Sequence, residues 1–292
     1  MGDFNNTTVY QNSYSYMDFD YIFSFFIDCT VIGLGLPLTL LAISALISLV
    51  RDDHVAPIFV INLLIADLLQ ICCINQKMTI TFFILDIESW LLLDTLYYFF
   101  LMASVGFMMC VALERCLIIY RPLWYRINRS VKVSVLICVI VWLTPVVPFS
   151  FAYSNSQTTS IIFVTYLLLP LPVFVFSLVG TLKSLSASIS VSSEEKRRIV
   201  GAVVLVFLIY VMLFVPIITD WLPDTYYPSL SLVSFILVRL NPIADLVLYF
   251  FMGKGATDKL RALLCCCRKE TQRPKQQVLT VSGDRTGTVS SM

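Results

Sequence analysis

Long apolar segments separated by short polar ones dominate the pattern of residues along this chain. Each segment reaches the roughly 20 residues that a helix needs to cross a bilayer. The segments lack the apolar-polar alternation of a barrel strand, and only helices and closed barrels satisfy every backbone N–H and C=O group inside lipid. The pattern therefore predicts an all-α membrane protein, a bundle of seven transmembrane helices. The predicted spans are Ile22 to Val50, Pro57 to Leu85, Trp90 to Tyr120, Val131 to Tyr153, Thr159 to Ile189, Ile199 to Trp221 and Pro228 to Met252.

Composition and charge distribution agree with this topology. Charged residues make up 13% of the 292 residues, against about 25% in a soluble domain. Nearly every Lys and Arg falls in or beside the first, third and fifth gaps between spans, or after the last span. The positive-inside rule places these regions in the cytosol. We therefore expect a multi-pass plasma-membrane protein, embedded in the lipid bilayer with its N-terminus extracellular. The net charge of +1 gives no indication of nucleic-acid binding.

A polar segment, 1–21, precedes the predicted bundle at 22–252. It is expected to be an extracellular tail without a cleavable signal, because it has neither a basic start nor a short apolar core. Overlapping sequons begin at Asn5 and Asn6, so N-glycosylation is expected there. The tyrosines and aspartates of this tail are compatible with a sulfated arm that captures a basic ligand, or with a solvated disordered tail.

Residues 253–268 are predicted to form an amphipathic eighth helix on the inner leaflet. Cys265, Cys266 and Cys267 would lie at the membrane surface, where acylation is expected. Their spacing does not fit the alternative, a tetrahedral metal site. Residues 269–292 are predicted to be a disordered cytoplasmic tail whose Ser and Thr residues are candidate phosphorylation sites.

Four polar residues inside the spans form a candidate ion site. Asp67 lies near the middle of the second span, where an unpaired charge costs at least about 3 kcal/mol. Ser104 belongs to the third span, while Asn241 and Asp245 share one face of the seventh. These oxygens suit a hard cation such as sodium, and no other cofactor is predicted. The alternative is a protonated, hydrogen-bonded Asp67.

Charged and aromatic residues in the outer halves of the spans are candidates for a ligand pocket. Lys77 and Arg239 interrupt apolar spans, where a charge suggests function, and both could face the cavity that Asp94 and Tyr97 are expected to line. Two cations there would suit the carboxylate, phosphate or sulfate head of an apolar molecule. The alternative is an internal ion pair of Lys77 or Arg239 with Asp94.

Further motifs follow in a recognisable order along the spans. They are Leu63 to Asp67 in the second, Glu114-Arg115-Cys116 in the third, Trp142 with Pro145 in the fourth, Pro216 in the sixth, and Asn241-Pro242 with Asp245 to Tyr249 in the seventh. This set resembles the rhodopsin-like (class A) G-protein-coupled receptors, over about residues 20 to 268. Asp245 and Gly35-Leu36-Pro37 are similar to the branch that holds nucleotide, lipid and protease-activated receptors.

Several positions depart from the family's pattern. These are Thr39 for the Asn of the first helix, Leu246 for the Pro of the seventh, Phe214 for the Trp before the sixth-helix proline, and Trp90 for the Cys that ties the third helix to an outer loop. Lys196 replaces the acid that often holds Arg115 from the sixth helix. The inactive state would then rely on Glu114, so high basal activity is expected.

The resemblance implies a receptor, not an enzyme. An unidentified extracellular ligand would shift an existing equilibrium until the sixth helix swings outward and Arg115 meets a heterotrimeric G protein. Tyr97 stands where amine receptors carry an aspartate, which argues against a biogenic amine. Arrestin and a receptor kinase are the expected partners of the tail. The implied switch residues are Glu114, Arg115, Phe214, Pro216 and Tyr249.

Two other classes of function stay open at this point. The first is a receptor-like scaffold or decoy that does not signal, which the departures at Trp90, Leu246 and Phe214 favour. The second is a small-solute transporter, although no inverted repeat or matched pair of broken helices is visible.

Overall fold

Seven helical spans make up the part of the chain that the computed structural model describes, residues 22–51, 58–83, 86–120, 131–151, 156–187, 193–222 and 228–252. Six single helices and one bent pair are long and apolar enough to cross a membrane, which confirms the predicted all-α bundle. The helices are α1 (Ile22–Ile47, with helical geometry to Arg51), α2 (Ile58–Phe83), α3 (Ile87–Tyr120), α4 (Val131–Leu143, then Val146–Phe151), α5 (Ser156–Leu168, then Pro170–Ala187), α6 (Ser193–Asp220) and α7 (Pro228–Arg239, then Asn241–Met252).

The central helix of the bundle is α3, which packs against α2, α4, α5 and α6. Within the most apolar part of each helix, 67% of the α3 residues are buried but only 22% of those in α4. Asp86 caps the start of α3, because its carboxylate accepts the Ser89 backbone N–H at 3.3 Å and the Ser89 hydroxyl. The hydrogen bond from the Ser89 hydroxyl, and to a smaller extent the one from its backbone N–H, holds the pKa of Asp86 below its ordinary value.

Besides the short breaks in α4 and α5, the helices α1 and α7 depart from regular α geometry. A π-helical turn, Val31–Gly35, interrupts α1, and the two halves of α7 meet at a bend of 44° at Leu240. Pro242 contributes to the bend because it has no N–H to bond the carbonyl one turn earlier. Gly35 lets α2 approach, since a Cβ atom there would lie 3.2 Å from Ile71 Cδ1.

The outer surface of the bundle is apolar on every helix, as lipid contact requires. Several hydroxyl groups on this surface bond to carbonyls of their own helix, one turn back, which satisfies these donors where lipid offers no partner. Such bonds are made by Thr30, Thr79, Thr95 and Thr165. Exposed apolar side chains include Leu40, Phe82, Leu92, Leu136, Phe176, Leu208 and Val233.

One hydrogen bond joins α4 to α2. The Trp142 indole N–H donates to Asn62 Oδ1 at 3.0 Å, and the Asn62 amide donates to the Ile58 carbonyl at 2.9 Å. The Trp142 ring also contacts Phe107 of α3, with 5.5 Å between ring centroids. This interaction ties the least buried helix to the bundle.

Several predictions fall outside the described residues. These are the extracellular tail 1–21 with Asn5 and Asn6, the amphipathic helix 253–268 with Cys265 to Cys267, and the tail 269–292. The helix that carries Lys196 is described, but that side chain is not.

Substitution of Gly106 by Ala should destabilise the α3–α4 contact, because the added Cβ would lie 2.8 Å from Val141 Cγ1. Overpacking of this kind costs about 1–3 kcal/mol, so the purified protein should melt at a lower temperature. The matched control is Gly33→Ala, where a Cβ meets nothing within 4 Å. Adding Val141→Ala to Gly106→Ala should restore the melting temperature, and a double variant that is no more stable than the single one would contradict this explanation.

Candidate functional site

A fully buried polar cluster lies between α2, α3 and α7. The Ser104 hydroxyl is 3.1 Å from Asp67 Oδ1 and 3.1 Å from Asp245 Oδ2, and so lies between the two carboxyl groups. The Asn241 amide nitrogen is 3.1 Å from Ser104 Oγ, 3.3 Å from Asp245 Oδ2 and 3.4 Å from Asp67 Oδ1. Gln70, which was not predicted, donates to Asp67 Oδ1 at 3.2 Å. The four residues predicted as an ion site therefore come together in the fold.

The cluster holds more acceptors than donors. Four of its buried oxygens, one each on Asp67, Gln70, Asn241 and Asp245, have no hydrogen-bond partner among the described residues. Within the described residues, neither carboxyl group has an ion-pair partner. Buried acceptors without donors are costly, and a small hard cation or added protons would satisfy them. The oxygen atoms of the cluster thus fit sodium as ligands.

A cavity of about 540 Å³ lies toward the end of the bundle where α1 begins, between α1, α2, α3 and α7. We call it the polar cavity, because Asp28, Lys77, Asp94 and Arg239 line it. Lys77 forms an ion pair with Asp94, and Arg239 Nη1 lies 3.5 Å from Asp28 Oδ1. The Lys77–Asp94 pair is the alternative that the sequence left open. Asp28 was not predicted as a site residue, and only the fold brings it to Arg239.

Aromatic rings hold both cations in the polar cavity. The Lys77 ammonium lies 4.1 Å from the centre of the Trp90 ring, so the residue that replaces the family's cysteine stabilises a buried charge instead. The Arg239 guanidinium lies 4.7 Å from the ring centres of Tyr97 and Phe235. Its Nε and Nη1 atoms are buried and make no hydrogen bond.

Tyr97 connects the polar cavity to the bend in α7. Its hydroxyl donates to the Val238 carbonyl at 3.1 Å, and this is the carbonyl that a residue with an N–H at position 242 would bond in a regular helix. Because Pro242 has no N–H, the Tyr97 hydroxyl satisfies the carbonyl that the bend leaves free. Tyr97 was predicted to line the ligand cavity, but it is almost fully buried and is absent from the lining of both cavities described here.

A second cavity of about 680 Å³ lies between α3, α4, α5 and α6. We call it the aromatic cavity, because Tyr98, Phe149, Phe163 and Trp221 line it, together with Asp94 and Glu88. The Phe163 and Trp221 rings pack with centroids 4.6 Å apart. Asp94 and Tyr98 also line the polar cavity, so the two cavities share a wall.

The predicted switch residues lie deeper in the bundle. Phe214 is fully buried two residues before Pro216, the proline inside α6, and stacks on Tyr210 at 4.8 Å. Glu114 is buried and Arg115 is half-buried near the end of α3. Tyr249 is buried in the second half of α7, and its hydroxyl has no hydrogen-bond partner.

Comparison with known proteins agrees with this architecture. The chain matches the sequence model of the family "7 transmembrane receptor (rhodopsin family)" over residues 39–157. Mas-related G-protein coupled receptor member A8 of Mus musculus is 24% identical, over 67% of this chain and 72% of the relative. Proteinase-activated receptor 2 of Rattus norvegicus is 25% identical, over 86% of this chain and 73% of the relative. The proto-oncogene Mas of Homo sapiens is 25% identical, over 75% of each chain.

Apolar spans around ligand-sized cavities and a buried polar cluster define a multi-pass membrane receptor. The motifs, the family match and the relatives agree on one class, the rhodopsin-like G-protein-coupled receptors. The chain therefore couples an extracellular ligand to G-protein signalling and is not an enzyme. A protease-activated receptor is among the relatives, as the expected branch would suggest, but Mas and Mas-related receptors were not expected.

Substitution of Tyr97 by Phe should destabilise the receptor, because it leaves the Val238 carbonyl without a donor. An unsatisfied buried group costs about 1–3 kcal/mol, so we expect a lower melting temperature for the purified protein. Tyr98→Phe is the matched control, since it removes the neighbouring hydroxyl, for which the structure shows no hydrogen bond. Equal losses in the two variants would show that the Val238 contact is not the cause.

Proposed function

We propose that this receptor detects an extracellular ligand in the polar and aromatic cavities, with its N-terminus outside the plasma membrane. The observation that carries the proposal is the position of Arg239 and Asn241 on either side of the bend at Leu240. Arg239 lines the polar cavity, while Asn241 is hydrogen-bonded in the buried polar cluster. A ligand that displaces Arg239 therefore acts on the same bend that positions Asn241 and Asp245.

The ligand is proposed to carry an anionic group, such as the head of an anionic lipid or metabolite. Arg239 supports this, because two of its guanidinium nitrogens are buried without a hydrogen-bond acceptor and an anion would provide one. Such a group has to compete with Asp28 and Asp94, which already lie beside Arg239 and Lys77.

The polar cluster is proposed to bind sodium and to favour the inactive arrangement. A cation shared by Asp67, Ser104, Asn241 and Asp245 would hold α7 against α2 and α3, since these residues come from all three helices. Movement of α7 would separate the oxygens and weaken binding. Ligand and sodium would then oppose each other, because coupling between two binding equilibria is reciprocal.

At the other end of the bundle, Arg115 is proposed to meet the G protein when α6 moves about Phe214 and Pro216. Tyr249 would support this state with the hydroxyl that has no partner in the present one. Arrestin and a receptor kinase are the proposed partners of the tail, and Cys265, Cys266 and Cys267 the proposed acylation sites.

Cells that express the receptor should activate G proteins above the level of an empty vector without added ligand, because Lys196 replaces an acid that would hold Arg115. Arg115→Ala should reduce this signal to the vector level at matched surface expression. The control is Lys132→Ala, which removes an exposed basic residue at the start of α4. A wild-type receptor at the cell surface with no basal signal would instead support the non-signalling scaffold.

Sodium should raise the melting temperature of the purified receptor relative to choline at equal ionic strength. The expected stabilisation is about 1.4 kcal/mol at a sodium concentration ten times the Kd. Asp67→Asn and Asp245→Asn should abolish the difference, because each removes a buried charged ligand, whereas Asp94→Asn should leave it unchanged. A sodium effect that survives in Asp67→Asn would rule out the cluster as the binding site.

A further inference from the structure

The charges in the polar cavity are layered. The side chains of Lys77 and Arg239 are 7% and 4% exposed, whereas those of their partners Asp94 and Asp28 are 27% and 19% exposed. The two carboxylates are therefore more accessible than the cations to a molecule that enters the cavity. With two acids and two bases, the described lining has no net charge.

This layering limits what a purely anionic ligand can gain. The anionic head of such a ligand would be attracted by Arg239 and Lys77. The nearby carboxylates of Asp28 and Asp94 would repel it, which raises the free energy of the complex. The buried Nε and Nη1 atoms of Arg239 make no hydrogen bond and so still favour an acceptor. A second, positive group on the ligand would turn the repulsion by the acids into attraction.

The shared wall between the two cavities provides a place for the positive group. Asp94 lines both cavities, and Glu88 is the other charged residue in the lining of the aromatic cavity. The remainder of that lining is mainly apolar and aromatic, including Phe149, Phe163 and Trp221. An ammonium group at this wall would lie between an anion directed at Arg239 and an apolar body directed at the rings.

We propose that the receptor's ligand is zwitterionic, with an anionic group at Arg239, a cationic group at Asp94 and an apolar or aromatic body in the aromatic cavity. This inference rests on the proposed function, in which the two cavities are the ligand site. It adds a required positive charge to the ligand and assigns Asp94 as the residue that selects for it.

A series of three small molecules on one aromatic body provides the test. Phenylalanine carries both charges, phenylpropanoate lacks the amino group and phenethylamine lacks the carboxylate. Full-length purified receptor would be heated with each compound over the same millimolar concentration range. Unfolding would be followed with a thiol-reactive dye, because Cys73, Cys110, Cys116 and Cys138 are buried in the folded state.

Phenylalanine is expected to raise the melting temperature several-fold more than either analogue. Arg239→Gln should remove its advantage over phenethylamine, and Asp94→Asn should remove its advantage over phenylpropanoate. Lys132→Ala, which removes an exposed charge outside both cavities, should preserve both differences. These selective losses keep the test valid even if a variant is less stable, since each compound is compared within the same variant.

Stabilisation by phenylpropanoate or phenethylamine that equals that of phenylalanine would overturn the proposal, as would no stabilisation by phenylalanine. The measurement needs no G protein, so such a failure would leave the basal signal of the receptor and its loss in Arg115→Ala standing. Conversely, selective binding without any signal would uphold the zwitterion site and contradict the proposed function.

Discussion

A polar group inside the bilayer needs a partner from the chain or a bound ion, because hydrocarbon offers no water. Several threonines on the outer faces find this partner within one helical turn. Many interior groups find it on another helix, and these contacts shape the fold. The hydroxyl of Tyr97 on the carbonyl of Val238 is the clearest case, since it allows α7 to bend at a proline without leaving a buried acceptor unpaired.

The same requirement explains why the seven spans were predictable. Length and hydropathy follow from the thickness of the bilayer, so apolar segments could be assigned without tertiary information. The polar cluster was also predictable, because Asp67 and Asp245 are costly in a span and need partners. Spacing placed Asn241 and Asp245 on one face, and the structure adds Gln70 from the helix of Asp67.

Contacts between spans that are distant in the sequence were harder to predict. Asp28 lies near the start of the apolar helix α1. The direction in which its side chain points depends on the π-helical turn that follows it, Val31–Gly35. The residue pattern gives no clear indication of that turn. A periodicity of about 100° per residue predicted that Asp94 and Tyr97 of α3 line the cavity, and of these two Asp94 does. In a helix packed on several sides, as α3 is, adjacent positions can both be interior, and Tyr98 lines the cavities while Tyr97 faces α7.

The bend at Leu240 divides α7 into two rigid segments, so a small rotation at the bend moves the end of the second segment by a larger distance. The segment beyond it, Asn241–Met252, has 12 residues, and at 1.5 Å per residue its arm is about 18 Å long. Rotation of that arm by about 10° would move its far end by about 3 Å, which is comparable to the length of a hydrogen bond. A rearrangement of Arg239 too small to change the shape of the polar cavity would therefore be amplified at the far end of α7.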